Sequence, residues 1–152
     1  MLDRTDLRIL NILQAEGRIS NAELAKRVNL SPSPCLARVK RLEASGLISD
    51  YVALLDPAHL SLNLNVFIFI SLKAQNRTLL ARFEERVCSF DEVMECYLMT
   101  GDADYLLRVA MKDVVSLENF IVDHLSPMPE IEKIRSSFAL KQVRYKTALP
   151  LT

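Results

Sequence analysis

The stretch Ser31-Pro-Ser-Pro-Cys-Leu-Ala-Arg-Val-Lys-Arg-Leu-Glu-Ala-Ser-Gly-Leu-Ile48 is punctuated at both ends, which leaves it little choice of structure. Proline fits the first helical turn, where its missing N–H would be unbonded anyway, and breaks a helix interior. Pro32 and Pro34 therefore open a helix, with Ser31 or Ser33 as its expected cap. Gly46 suits the left-handed position after the last turn, with Leu47 supplying the hydrophobic contact of that motif. At about 100° per residue, Cys35, Val39 and Leu42 share one sector with Gly46, and this is the core face. Pro34, Arg38, Arg41 and Ser45 group on a neighbouring sector, so the two arginines are predicted to stand one turn apart on the side that does not pack.

Two shorter helices precede it. Asp3 to Ala15 carries Leu7, Leu10 and Leu13 at helical spacing, with Ile9 and Ile12 beside them. Asp3 is its expected cap, Asp6 sits favourably in its first turn, and Gly17 closes it. Ser20 and Glu23 are spaced as a capping box for a second helix ending near Asn29, with Leu24 and Val28 inward. Three short helices, a tight link between the last two, and Ile48–Leu54 as a strand describe a winged helix-turn-helix, whose third helix enters the DNA major groove. On that reading Ser31, Ser33 and Pro34 bring hydroxyls and unbonded N–H groups to phosphate oxygens. Arg38, Lys40 and Arg41 reach phosphates or guanine edges. Residues 1–50 hold eight Lys/Arg against six Asp/Glu in a chain of zero net charge. So small an excess implies weak binding by one copy, and several copies have to act together.

The pattern changes after a connector, residues 55–63, that carries Pro57. Val66–Leu72 reads as a strand and Arg77–Val87 as a helix with Leu80, Phe83 and Val87 inward. Val93–Thr100 is a second strand, Gly101–Asp104 a turn and Tyr105–Met111 a third strand. Val114–Leu125 is a helix with Leu117, Ile121 and His124 or Leu125 inward, broken by Pro127 and Pro129, and Ile131–Leu140 is a fourth strand. The order β-α-β-β-α-β is the split ferredoxin-like arrangement. The predicted class is α+β, with a DNA-binding domain over 1–54 and a ferredoxin-like domain over 64–152. Two helices cover one face of such a sheet. The first strand is apolar on the other face as well, through either Phe67/Phe69 or Val66/Ile68/Ile70, and the second strand presents Met94/Cys96/Leu98 opposite Tyr97/Met99. Left in water this is a large apolar patch, and a second copy pressed face to face is the simplest cover.

The combination Asp3-x-x-Asp6-x-x-Ile9-Leu10-x-x-Leu13, Ser20-x-x-Glu23-Leu24-Ala25, Leu30-Ser31 and Arg38-Val39-x-x-Leu42-Glu43-x-x-Gly46-Leu47-Ile48 resembles the N-terminal half of the leucine-responsive regulator/AsnC family of transcription regulators. Leu54-Leu-Asp-Pro57 resembles that family's hinge, while Asp50 and Ser61 stand where it often has glycine. The resemblance implies a C-terminal module of the RAM type that dimerises and assembles further, often to an octamer. It also implies an amino-acid effector bound between subunits near Gly101-Asp102-Ala103-Asp104-Tyr105. Read from residue chemistry alone, that segment is better explained by an ordinary hairpin turn. As an effector site, Asp102 or Asp104 would pair with the ammonium, and backbone around Thr100 and Gly101 would hold the carboxylate. Leu98, Met99 and Tyr105 would meet a leucine- or methionine-like side chain, and Ser136 and Ser137 of a partner would add hydroxyls.

Other chemistries find little support. Cys35, Cys88 and Cys96 are odd in number and widely spaced, so neither a disulfide framework nor a zinc site follows. His59 and His124 have no serine, cysteine or carboxylate at triad or ligand spacing, and three glycines leave no phosphate loop. No enzyme, metal or cofactor is expected. No apolar run approaches the roughly 20 residues of a membrane span, and Met1–Asp6 lacks the sequence of a signal peptide. A cytoplasmic, nucleoid-associated protein follows as the expectation, with double-stranded DNA, a free amino acid and further copies of itself as partners. The rivals are an architectural DNA-compacting protein without an effector, and a ferredoxin-like sensor or enzyme subunit with a helical extension.

Overall fold

The computed structural model describes residues 1–151 and divides the chain into two compact units. One is Met1–Leu54 together with the chain from Arg144 onward; the other is Leu55–Val143.

The first unit is built on three helices: α1 (Arg4–Ala15), α2 (Asn21–Arg27) and α3 (Pro32–Ala44). α1 starts with a reciprocal cap. The Asp3 carboxylate accepts from the Asp6 N–H at 2.8 Å, and the Asp6 carboxylate accepts from the Asp3 N–H at 3.2 Å. At α2 the Ser20 hydroxyl accepts from the Glu23 N–H, while the Glu23 carboxylate lies toward Lys26. This helix stops at Arg27, short of the predicted end, because Asn29 turns the chain with φ of 57°, a left-handed conformation that asparagine tolerates. Gly46 has φ of 74° as expected, but Leu47 remains half exposed. Ile9, Leu10, Leu24, Ala25, Val28, Cys35 and Leu42 form the buried core, with Val39 and Ile48 against it. The C-terminal segment joins this core: Leu151 packs on it, and the Gln14 amide donates to the Leu149 carbonyl at 3.2 Å and accepts from its N–H at 2.6 Å.

Ile48–Leu54 was expected to be a strand, and no strand forms there among the described residues. A strand exists only through a neighbour that supplies its ladder bonds. Here the segment is held by single contacts, the Tyr51 hydroxyl donating to Glu43 at 3.0 Å, and Val52, Leu54 and Leu55 stay exposed.

The second unit opens with a single 3-10 turn over Pro57–Leu60, capped by the Asp56 carboxylate, and then Ser61 at φ of 59°. A left-handed backbone crowds any Cβ, so a residue without one would sit here with less strain. Ser61→Gly is expected to raise stability by about 0.5 kcal/mol, the relief being partly offset by the more flexible unfolded chain. A thermal melt showing a lower midpoint than the parent would reject this.

β1 (Leu64–Leu72), α4 (Arg77–Val87), β2 (Val93–Leu98), β3 (Tyr105–Met111), α5 (Val114–Phe120) and β4 (Ile131–Phe138) follow in the predicted order. The sheet order is β2-β3-β1-β4, with every neighbouring pair antiparallel. β2 ends at Leu98 because the Met99 N–H donates to the Asp104 carbonyl at 2.8 Å and closes the turn. α5 passes directly into a π turn over Ile121–Leu125, with the Ser126 N–H reaching the Ile121 carbonyl at 2.8 Å. Such i→i+5 winding brings residues five apart toward one side, so Phe120 and Leu125 are both buried. His124 stacks beside Phe90 and Phe120, with ring centroids 4.9 and 5.7 Å away.

Strand alternation settles which side of β1 meets the helices. Val66, Ile68, Ile70 and Leu72 are buried with Phe83, Val87, Tyr105, Leu107, Val109 and Leu117. Phe67 and Phe69 therefore face the open side, directly opposite Ser137 and Arg135 of β4. That side is less uniformly apolar than predicted. Arg108 and Glu95 form an ion pair across it at 2.6 Å, the Tyr97 hydroxyl donates to Glu95 at 2.8 Å, and the Arg135 guanidinium lies 4.9 Å from the Phe69 ring centre. No described helix is long and apolar enough to cross a membrane.

Candidate nucleic-acid interface and ligand pocket

The start of α3 is shaped by its prolines. Ser31 occupies the capping position, but its hydroxyl accepts no bond from the helix. The reason is chemical: Pro32 and Pro34 have no N–H, so the usual third-residue donor is missing. Cys35 supplies the first intrahelical bond, its N–H reaching the Ser31 carbonyl at 3.2 Å. The expected cluster of unbonded N–H groups thus shrinks to that of Ser33, and the hydroxyls of Ser31 and Ser33 are what the helix start offers.

Cys35 and Leu42 are buried as the wheel predicted. The arginines beside that face are ion-paired. Arg38 Nη1 lies 2.6 Å from Asp3 Oδ2 and 2.8 Å from Asp6 Oδ1, and Arg41 Nη2 lies 2.6 Å from Asp6 Oδ2. Asp6 is 1% exposed. Burial alone would raise its pKa, but the bond from the Asp3 backbone and the two guanidinium groups hold it below the ordinary value. Arg38 is in turn held more firmly charged by Asp3 and then Asp6. Pro34, Arg41 and Ser45 of the predicted sector are exposed as expected, while Arg38 is half-buried against the start of α1, and both arginines are ion-paired there, so they are not a loose basic face. Ser33, Pro34, Leu36, Ala37 and Lys40 are left outward, with Leu36 an exposed apolar side chain that the sequence reading did not single out. Asp6 was read only as a first-turn anion. The available signal was the matched i, i+3 spacing of Asp3/Asp6 and Arg38/Arg41.

The predicted effector residues separate into two groups. Gly101 has φ of 118°, a conformation that favours glycine, and its loop is stitched to β1 by Asp104. One Asp104 oxygen accepts from the Leu72 N–H at 2.7 Å, the other accepts from the Gln75 amide, and the Asp104 N–H donates to the Ile70 carbonyl at 2.9 Å. Asp104 is thus a structural stitch and not an open carboxylate. Tyr105 is also removed from the set. Its ring is buried 4.6 Å from that of Phe83, and its hydroxyl donates to Glu84. Burial first, then the Glu84 acceptor, pushes its phenol well above the usual range. Leu98 pairs with Tyr105 and so shares its side of the sheet, and Ser136 pairs with Ile68 and is likewise on the helix side. Ser136 and Ser137 cannot serve one face, because strand neighbours point opposite ways.

What remains on the open side is a depression of about 220 Å³ lined by Phe69, Ser71, Asp102, Ala103, Lys133 and Arg135. Asp102 is exposed, and its carbonyl accepts from the Ser71 hydroxyl at 3.4 Å. An aromatic floor, one carboxylate and two cations stand within a single recess. Phe69, Ser71, Lys133 and Arg135 were not anticipated, since only the observed register brings β4 cations opposite β1. Elsewhere, burial and then the neighbouring Cys88 push the Cys96 thiol up to about 11, which favours its protonated form. Among the described residues no group of His, Cys, Asp and Glu side chains is placed to hold a metal ion.

Comparisons agree with this division. Residues 2–49 match the family model for winged helix-turn-helix DNA-binding, and residues 65–149 match that of the Lrp/AsnC ligand binding domain. The chain is 47% identical over 150 residues to the Bkd operon transcriptional regulator of Pseudomonas aeruginosa, covering 99% of this chain and 98% of that one. It is 41% identical over 148 residues to the leucine-responsive regulatory protein of Escherichia coli, covering 97% and 90%. Among solved structures, a transcriptional regulator–L-Met complex from Neisseria meningitidis superposes with a TM-score of 0.95 at 40% identity, over 99% of this chain and 97% of that one.

Proposed function

Because this chain belongs to the Lrp/AsnC family of DNA-binding transcriptional regulators, we propose that it binds specific duplex sites through α3 and answers to a free amino acid of the leucine or methionine type. It is a regulator and not an enzyme, as its relatives are. The observation that carries the effector reading is the recess on the open side of the sheet. An amino acid brings an ammonium, a carboxylate and a side chain. Asp102 suits the first, Lys133 and Arg135 the second, and the Phe69 ring the third. Met99 at the loop margin and Ser137 on the same face extend it, while Thr100 and Gly101 supply backbone. The Neisseria neighbour was solved with L-Met, which supports the ligand class.

Copies of the chain pair through Phe67, Phe69, Tyr97 and Leu106, and pairs assemble further, up to an octamer. Each copy presents α3 weakly, with Lys40, Arg41, Ser31, Ser33 and Pro34 nearest the duplex, and assembly multiplies these contacts into avidity. An effector seated between copies shifts the assembly only if it binds one arrangement more tightly than another. The site of action is the cytoplasm, at the nucleoid where the duplex lies.

Calorimetric titration with L-leucine and L-methionine tests the recess. Asp102→Asn, which removes one charge-assisted bond, is expected to weaken binding by about tenfold or more. Parent-like affinity would reject the assignment. If DNA footprints and particle mass are unchanged by saturating amino acid, the protein is an architectural DNA binder instead.

A further inference from the structure

Arg38 and Arg41 look equivalent in the sequence, yet the fold treats them differently. Arg38 contacts two carboxylates, those of Asp3 and Asp6, and its side chain is 30% exposed. Arg41 contacts Asp6 alone among the described residues, is 58% exposed, and keeps further N–H donors for a ligand. Asp6 divides its two oxygens between them, at 2.8 and 2.6 Å, from inside the core.

We propose that Asp6 is a positioning residue for DNA binding: it uses Arg38 as a strut between α1 and α3 and holds Arg41 in place with its remaining donors turned to a backbone phosphate. The inference rests on the DNA-binding reading and refines it. A long flexible side chain that is ordered before the encounter does not have to be ordered by it, so the bond to Asp6 lowers the entropic penalty of the phosphate contact. Arg38, matched by two anions, contributes little net charge to the duplex. Arg41, with one anion shared between two cations, contributes more.

The two accounts of Asp6 differ in sign. By charge alone, removing an anion near a polyanion tightens binding. By positioning, removing it weakens binding. The full-length protein is titrated with a duplex that the parent enriches from a random-sequence pool, at several salt concentrations, using variants whose melting and particle mass match the parent. Asp6→Asn is expected to weaken binding by up to about tenfold, the ordering of one long side chain. Arg41→Ala is expected to reduce the slope of log affinity against log salt by about one per protomer engaged, and Arg38→Gln to leave that slope unchanged. Binding by Asp6→Asn as tight as the parent or tighter overturns the proposal. So does an equal fall in slope for Arg38→Gln and Arg41→Ala, a comparison that stands even if Asp6→Asn does not fold. If the parent enriches no duplex at all, the DNA-binding reading fails with it.

Discussion

Replacing Phe67 and Phe69 together with aspartate is expected to yield a monomer whose affinity for duplex DNA is lower by about a hundredfold or more. Both rings lie on the open side of β1, where no helix covers them, while their neighbours Val66, Ile68 and Ile70 are buried beneath the helices. Leu106 of β3 pairs with Phe69 and continues the patch, and Tyr97 of β2 pairs with Leu106. A second copy laid on this face would bury the rings; aspartates in their place would remove that apolar surface and would have to leave water to be covered, a penalty that the cross-strand Arg108 and Arg135 offset only in part. The Arg108–Glu95 pair and Arg135 already stand beside the patch, so a second copy docked there would meet polar groups that constrain its register. The aspartates point away from the core and leave the fold itself intact. Sedimentation equilibrium and duplex titration together check this. A parent-like mass for the double variant would refute face-to-face pairing.

The second large effect is internal. Phe83→Ala is expected to destabilise the sheet unit by about 3–5 kcal/mol, lowering its melting midpoint by more than about 12 °C. Phe83 is fully buried on α4 and meets Tyr105 of β3 at a 40° ring angle, so its loss leaves a cavity where the helix meets the sheet. The same cavity would loosen the Tyr105 hydroxyl from Glu84, the residue that follows Phe83 in α4. Because Tyr105 follows directly on the Asp104 stitch, the Gly101–Asp104 turn is expected to lose order with it. Differential scanning calorimetry reads the shift, and a fall of less than about 1 kcal/mol would mean that the cavity collapses without penalty.

The helices and strands were legible because their signals are local. Prolines at 32 and 34, the Asp3 and Ser20 caps, Gly46 in a left-handed turn and the period-two pattern of Val66–Leu72 each act within a few residues. The local signals failed where they needed a partner. Ile48–Leu54 has strand composition, but among the described residues no neighbour completes it. Ser31 is a good capping residue, yet the prolines that mark the helix start also remove its third-residue donor. At the end of α5 the period left His124 or Leu125 as the inward residue, and the π turn selects Leu125.

The sequence by itself determined the class and order of the helices and sheet strands, since periodicity and capping are set by residues close in the chain, but not that the chain from Arg144 onward leaves the expected 64–152 domain to join the helical unit. Tertiary structure alone decided which charges are already used. It bound Arg38 and Arg41 to Asp6, turned Asp104 inward as a stitch and Tyr105 into the core, and left Asp102 beside Lys133 and Arg135. The physical reason is that an ion pair or hydrogen bond is chosen by proximity in space. Residues three dozen positions apart carry no periodic mark of that proximity, and only the packed helices and the paired strands bring them within bonding distance.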